Sequence, residues 1–256
     1  SFKHASLKLE TPHFATYLFS LRKPPKLKNN KQMKKVLLSV GLFAMTMTAK
    51  AQVLTFDAGL KGAYSATEMF NNNISDLGAT QDYKMATGSN YGLALNANLG
   101  NIGLTVEFLP GTFNTGYQGT IGSGNFASTY TSNVELKTFS IPILVKFGGQ
   151  TGGYAEVGIS TNGVNKATYS NSLTTATSVV TGKYNSYTTA VLGFGSKISL
   201  GDDFPLILNV GVRLQYGITD AAGVDAFGAD LKGYPTYQKS SAASAGLHVG
   251  LTYRIK

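Results

Sequence analysis

The chain contains no cysteine and no tryptophan among its 256 residues. Without cysteine there is no disulfide framework, no thiolate-bound zinc, no thiol catalysis and no lipid anchor on an N-terminal cysteine. Charge is scarce as well: Asp, Glu, Lys and Arg together make 14%. Past residue 51 no stretch approaches the ~18 uninterrupted apolar residues that a membrane-crossing helix requires. What is plentiful is glycine, at 30, together with 14 tyrosines and 14 phenylalanines. Glycine and aromatics with few charges fit many short strands better than a helical core.

The formal charge of +9 suggests a nucleic-acid partner until it is located. Residues 1–51 carry ten Lys/Arg and a single acid, Glu10, whereas residues 52–256 carry twelve of each sign. The excess sits entirely in the leader, so no basic groove for phosphates is expected in the folded part and no nucleic acid is expected as a partner. The first methionine, Met33, opens Met33-Lys34-Lys35, followed by the apolar run Val36–Met45 and by Ala49-Lys50-Ala51. A charged start, a short apolar run and a small-x-small site make a secretory signal peptide over 33–51, with cleavage after Ala51. Residues 1–32 do not fit that scheme and read as an over-extended reading frame or a disordered basic extension. The remainder, 52–256, is the domain.

Within 52–256 the recurrent feature is period-two alternation. The apolar positions are Leu54, Phe56, Ala58, Leu60 and Tyr64; Tyr91 to Leu99; Ile102 to Phe108; and Phe139 to Phe147. The second half repeats this at Ala155, Val157 and Ile159; Ala190 to Leu200; Leu208 to Ile218; and Ala243 to Ile255. That predicts eight strands, the fifth being the least marked, and several are long enough, at ~9–11 residues, to cross a bilayer when tilted. Three connections are short: Gly100-Asn101, Gly148–Gly153 and Gly201–Phe204. Four are long and polar, at about 66–88, 112–132, 161–185 and 219–240. Short turns alternating with long loops is the pattern of membrane barrels, with the turns periplasmic and the loops extracellular.

Alternation also occurs in soluble barrels with apolar interiors, so the polar face has to decide. Gly59, Gly92, Gly103, Gly158, Gly193, Gly195, Gly211, Gly246 and Gly250 all fall on it, while the other face is aliphatic and aromatic. Glycine relieves crowding inside a narrow cylinder. The fold class expected is therefore all-β: an eight-stranded antiparallel up-and-down transmembrane β-barrel. Tyr64, Tyr91, Phe108, Phe147, Tyr216 and Tyr253 suit interfacial aromatic girdles. A soluble ligand-binding barrel is the alternative.

The segment Leu136–Phe147, reading LKTFSIPILVKF, resembles the aromatic-x-x-Ile-Pro-Leu-Leu-x-Lys-aromatic strand of small outer-membrane β-barrel proteins of Bacteroidetes, the PorT-like group. Tyr154–Gly158 resembles that family's fifth strand, Gly211–Asp220 its seventh and Leu247–Ile255 its closing strand. The resemblance spans about 53–256 and implies an outer-membrane location without implying an activity. It also implies two partners: the lipid of that membrane and the barrel-insertion machinery, which commonly reads a terminal aromatic. Here the last aromatic is Tyr253, followed by Arg254-Ile255-Lys256. Pro142 cannot donate to a ladder, so a bulge is expected near it.

Eight charges fall on the polar face and are the candidate site: Asp57, Lys61, Glu107, Lys146, Glu156, Lys197, Arg213 and Arg254. Charges in such a setting persist when paired or wet. They could line a conduit, or they could plug the lumen; with eight strands the interior is just wide enough to be filled by side chains, which favours the plug. His248 also falls on that face, but nothing in the sequence brings Ser244 or Glu156 to it as a hydrolytic triad. Gly122-Ser123-Gly124 lacks the strand-to-helix context of a nucleophile elbow. No phosphate loop, metal-ligand spacing or dinucleotide fingerprint is present, so no cofactor and no enzymatic activity are expected. The long loops, rich in Asn, Thr, Ser, Gly and Tyr, could meet an unknown protein or glycan. The expected role is structural, interaction or assembly at the cell outer membrane, the rivals being a narrow pore and a lipid-modifying enzyme.

Overall fold

A computed structural model describes residues 54–75, 77–201 and 205–255. The expected extension at 1–32, the signal peptide at 33–51 and its cleavage site lie outside the described residues.

Among the described residues there are ten strands: β1 Leu54–Phe70, β2 Asp82–Lys84, β3 Ala86–Leu99, β4 Ile102–Ile121, β5 Ser128–Gly148, β6 Gly152–Asn171, β7 Thr174–Val179, β8 Tyr187–Ser199, β9 Leu206–Gly217 and β10 Ser241–Ile255. Eight of them close into a ring. Each pairs antiparallel with the next, β1 with β3, then β4, β5, β6, β8, β9 and β10, and β10 returns to β1 over Phe56↔Ile255 to Phe70↔Ser241. This is the antiparallel up-and-down barrel that the alternation predicts. β2 prolongs β3 against β4, and β7 folds back on β6. Among the described residues no helix is long and apolar enough to cross a membrane.

Side chains sort as the pleat dictates. Outward from β1 point Leu54, Phe56, Leu60 and Tyr64, all exposed; β3, β9 and β10 do the same with Leu93, Leu214 and Leu251. Inward point Asp57, Lys61, Asn96, Glu107, Glu156 and Arg213, all buried. An apolar belt therefore surrounds a polar interior. Aromatics rim the belt, with Phe56, Phe147 and Tyr253 toward the short turns and Tyr64, Tyr91 and Tyr216 toward the long loops. The tight turn between β3 and β4 uses Gly100 at φ +58°, the left-handed region that glycine adopts without steric cost.

The long connections depart from the sequence reading. Most of 112–132 is not a loop: β4 and β5 stay paired from Ile102↔Phe147 out to Ile121↔Ser128, far past the apolar belt. β6 likewise runs to Asn171, so the fifth barrel strand, the least marked in sequence, is among the longest. These extensions are built from Thr, Ser, Asn and Tyr, whose polar outer faces give no hydrophobic alternation to read, while Thr and Tyr still favour strands. The connection 219–240 is a loop but is only partly solvated: Ala221, Ala222, Val224, Ala226 and Leu231 are buried in the mouth of the barrel, while Phe227, Lys232 and Lys239 are exposed.

The bulge is also displaced. At Pro142 the β4–β5 ladder merely skips a rung, because Val106↔Ile143 and Leu109↔Ser140 share one register. The register shift lies on the other side of β5, where Lys137↔Lys166 and Thr138↔Val164 leave Asn165 unopposed on β6. The extra residue reverses which positions of β6 face inward, so Ser160 and Asn162 are buried below it and Ala167 and Tyr169 above it.

Candidate functional site

The interior of the belt is occupied by ions supplied from different strands. Glu107 on β4 is fully buried and accepts from Lys61 Nζ of β1 at 2.6 Å and from Arg213 Nη1 of β9 at 2.8 Å. Arg213 Nη2 also reaches Glu107 Oε1 at 3.1 Å, so this side of the guanidinium is bidentate. Its other side faces Glu156 of β6, with Nε at 2.8 Å and Nη2 at 2.6 Å from Oε1. Lys146 Nζ of β5 stands 3.7 Å from Glu156 Oε2. Five of the eight candidate residues thus form one connected cluster, three cations around two carboxylates, tied across the lumen by a single guanidinium.

The other three are not part of it. Asp57 and Arg254 make a separate pair at 3.1 Å nearer the short turns, where Asn98 Nδ2 also donates to Asp57 and Arg254 Nη1 donates to Gln150. Lys197 has no carboxylate within ion-pair range among the described residues; its Nζ donates to the Gly149 carbonyl at 3.3 Å. Lys146 and Lys197 both lie over the ring of Tyr154, at 5.1 and 5.9 Å. Tyr154 donates to or accepts from His248 Nε2 at 2.8 Å, so the buried histidine meets a phenol rather than Ser244 or Glu156. Nothing here assembles a nucleophile, base and orienter. Among the described residues no group of three or more His, Asp or Glu is placed to hold a metal.

Glycines make room for this cluster. A Cβ at Gly193 would stand 2.6 Å from Glu156 Oε1, one at Gly195 2.6 Å from the Tyr154 hydroxyl, and one at Gly211 2.8 Å from the His248 ring. These three glycines therefore make room for particular lumen side chains, whereas a Cβ at Gly59, Gly92 or Gly158 would meet the backbone of the neighbouring strand. Above the cluster the void lined by Ser65, Thr67, Asn90, Thr138, Asn162 and Gln215 measures about 40 Å³, enough for a few waters and no larger ligand.

A second closure lies above that void, and sequence reasoning missed it. Tyr117, Tyr130 and Tyr169 from the extended strands β4, β5 and β6, Tyr184 from the connection before β8 and Tyr187 at the start of β8 pack with Met69, Ile74, Val134, Leu136 and the buried residues of the loop 219–240. The tyrosines hold the loop by its backbone: Tyr117 Oη donates to Val224 O at 3.1 Å and Tyr169 Oη to Ala226 O at 2.9 Å. Ser132 Oγ adds a bond to Ala226 O at 2.8 Å, and Lys183 Nζ one to Gly228 O at 2.7 Å. Within the loop, Asp225 accepts from Tyr234 and Asp220 from Tyr237, each at 2.8 Å. Burial first, then the adjoining carboxylate, pushes the Tyr234 phenol up to about 12, so these phenols remain donors at any ordinary pH. The available signal was the run of small residues Ala221-Ala222-Gly223, which lets a loop pass beneath aromatic rings.

No protein-family model matches the sequence, and no curated protein matches it. Solved structures similar to the chain include OprG of Pseudomonas aeruginosa, at 10% identity and a TM-score of 0.41, covering 80% of this chain and 97% of that one. Ail of Yersinia pestis is similar at 11% identity and a TM-score of 0.35, covering 78% and 99%. Neisserial surface protein A is similar at 12% and 0.36, covering 78% and 96%. At such distances the fold assignment stands on the closed ladder itself.

Proposed function

We propose that the chain is an integral outer-membrane β-barrel protein with a side-chain-plugged lumen, serving a structural, interaction or assembly role through its loop end. The observation that carries this reading is the inversion of faces: aliphatic and aromatic side chains such as Leu60, Leu93, Leu214 and Leu247 are exposed all round the cylinder, while Glu107 and Glu156 are fully buried at its axis. A closed ladder leaves no unpaired edge, which in hydrocarbon would cost several kcal/mol per unsatisfied group. In this reading the short turns are periplasmic and the extended strands and loops extracellular. The PorT-like resemblance of Leu136–Phe147 supports a place among small outer-membrane barrels of Bacteroidetes. The belt would meet membrane lipid, the insertion machinery would act during biogenesis, and a protein or glycan would meet the Thr-, Asn- and Ser-rich extracellular hairpins. Export through the signal peptide at 33–51 accords with that destination.

The reading is tested by reconstituting purified protein into planar bilayers. The expected result is stable incorporation without steady single-channel steps. Regular steps would establish a pore, and extraction into buffer without detergent would make the barrel soluble.

A further inference from the structure

Where β1 leaves the belt, its wall is incomplete on one side. Pairing between β1 and β3 stops at Thr67↔Ala86, whereas pairing between β1 and β10 continues to Phe70↔Ser241. β2 resumes the line of β3 but pairs only with β4, at Asp82↔Gln118 to Lys84↔Gly116. Glu68, Met69 and Phe70 therefore run past β2 without a ladder. Phe70 and Tyr83 bridge the gap edge to face, ring centres 5.2 Å apart, and the Tyr83 hydroxyl is bonded to Asn71. Outside this seam lies a groove of about 360 Å³, within the ~300–1,000 Å³ of small-molecule sites.

The groove has an apolar floor and one buried carboxyl, with Thr67 and Ser244 also on its lining. Its floor is Ala66 on β1 with Ala243 and Ala245 on β10, and its rim is Phe70, Tyr83 and Met85. Met85, the residue between β2 and β3, is 79% exposed. Glu68 also lines the groove, although only 8% of it is exposed. Its Oε1 accepts from the Met69 N–H and the Thr115 hydroxyl, while Oε2 is buried and has no hydrogen-bond partner. A buried carboxyl oxygen without a donor is costly unless something completes it. Below the floor the next outward residues are Tyr64 and Leu247, both exposed members of the belt. The groove is thus the upward continuation of the apolar surface and is lined at its upper end by Glu68, whose unpartnered Oε2 lies buried in the seam behind it.

We propose that this groove binds a single-chain amphiphile with a hydroxyl head, its tail along Ala66, Ala243 and Ala245 and its head hydrogen-bonded to Glu68. The inference rests on the outer-membrane reading, which places the outer-leaflet interface at Tyr64. A hydroxyl head suits the site for two reasons. It brings no second charge into a position that is nine-tenths buried. Desolvation also raises the Glu68 carboxyl to about 7, so both its forms are present near neutrality, and a hydroxyl can donate to one and accept from the other.

The absence of tryptophan from the chain makes the test direct. Met85→Trp places the chain's one tryptophan, excited selectively over tyrosine, at the groove rim of the protein in lipid nanodiscs, and bromododecanol is titrated as quencher. Saturable quenching is expected, with affinity on the order of fivefold better than that of bromododecane, the worth of one hydrogen bond. Adding Glu68→Gln should alter that preference, and adding Ala245→Phe, which fills the groove from the outer face, should abolish saturation. Linear quenching unaffected by Ala245→Phe overturns the site. Saturable quenching equal for the alcohol and the bromoalkane overturns the assignment of the head to Glu68. Failure of the protein to enter nanodiscs counts against the membrane reading, whereas entry without saturable quenching counts against the groove alone.

Discussion

Arg213 reaches from β9 to two carboxylates on strands separated only by β5, and among the described residues its guanidinium is the only group bonded to both Glu107 and Glu156. Arg213→Met would leave two buried anions with only Lys61 and Lys146 beside them. Breaking a buried pair in this way costs about 3–5 kcal/mol, to be read as a fall in the urea midpoint of the detergent-solubilised barrel. Arg213→Lys keeps the charge without the fork and should lose less; equal losses would show that shape, not charge, is what the position requires. At Gly193 the smallest possible change is a severe one, because the added methyl of Gly193→Ala meets the Glu156 side chain at 2.6 Å. A loss of about 1–3 kcal/mol in the same assay is expected. Glu68 adds a pH dependence. Burial raises its carboxyl from 4.5 to about 7 in the folded protein, so its contribution is fully present below 4.5 and is lost as pH rises through about 7. The loop end, where Tyr83, Tyr117 and Tyr184 surround this group, should resist protease better at about pH 5 than at about pH 8, and Glu68→Gln should flatten the difference.

At the scale of elements, the belt was legible in the sequence and the extramembrane half was not. Leu93, Leu95 and Leu99, or Val210, Val212 and Leu214, announce an outward apolar face because nothing but lipid or a core explains such rows. Asp57, Lys61 and Arg213 fall on the opposite face by parity alone, although which carboxylate each would meet depends on shear between strands that are distant in sequence. Beyond the belt both faces of β4, β5 and β6 are polar or mixed, and the period-two signal disappears even though the ladder continues to Ile121↔Ser128. The bulge at Asn165 hides the pattern further by reversing parity midway along β6. The inward loop was missed for a related reason: its buried residues are mostly alanines, and its polar groups are answered by tyrosines from other strands. That loop turns on Gly223, at φ +129° with the Tyr184 ring 2.8 Å from where a Cβ would be. Gly223→Val should cost about 1–3 kcal/mol locally and expose 219–240 to limited proteolysis, while far-ultraviolet circular dichroism of the barrel stays unchanged.

For the whole molecule, two closures in series separate the ends of the cylinder: the ion cluster within the belt and the tyrosine-held loop above it. Opening one leaves the other in place, so neither Gly223→Val nor Arg213→Met alone should yield ion conductance in planar bilayers. Combining them is the variant in which steps would first be expected. The provenance of the cluster also bears on how the barrel is made. Its carboxylates come from β4 and β6, its guanidinium from β9 and one ammonium from β1, which acquires its second neighbour only when β10 arrives. A nascent chain holding only its first six strands would present two acids to each other with no arginine between them. Until β9 is in place the two carboxylates have only Lys61 and Lys146 beside them, and the finished cylinder is the first state in which the Arg213 fork joins Glu107 to Glu156. Biogenesis of such a chain should proceed as a single concerted event, with truncated forms degraded rather than lodged half-built in the bilayer.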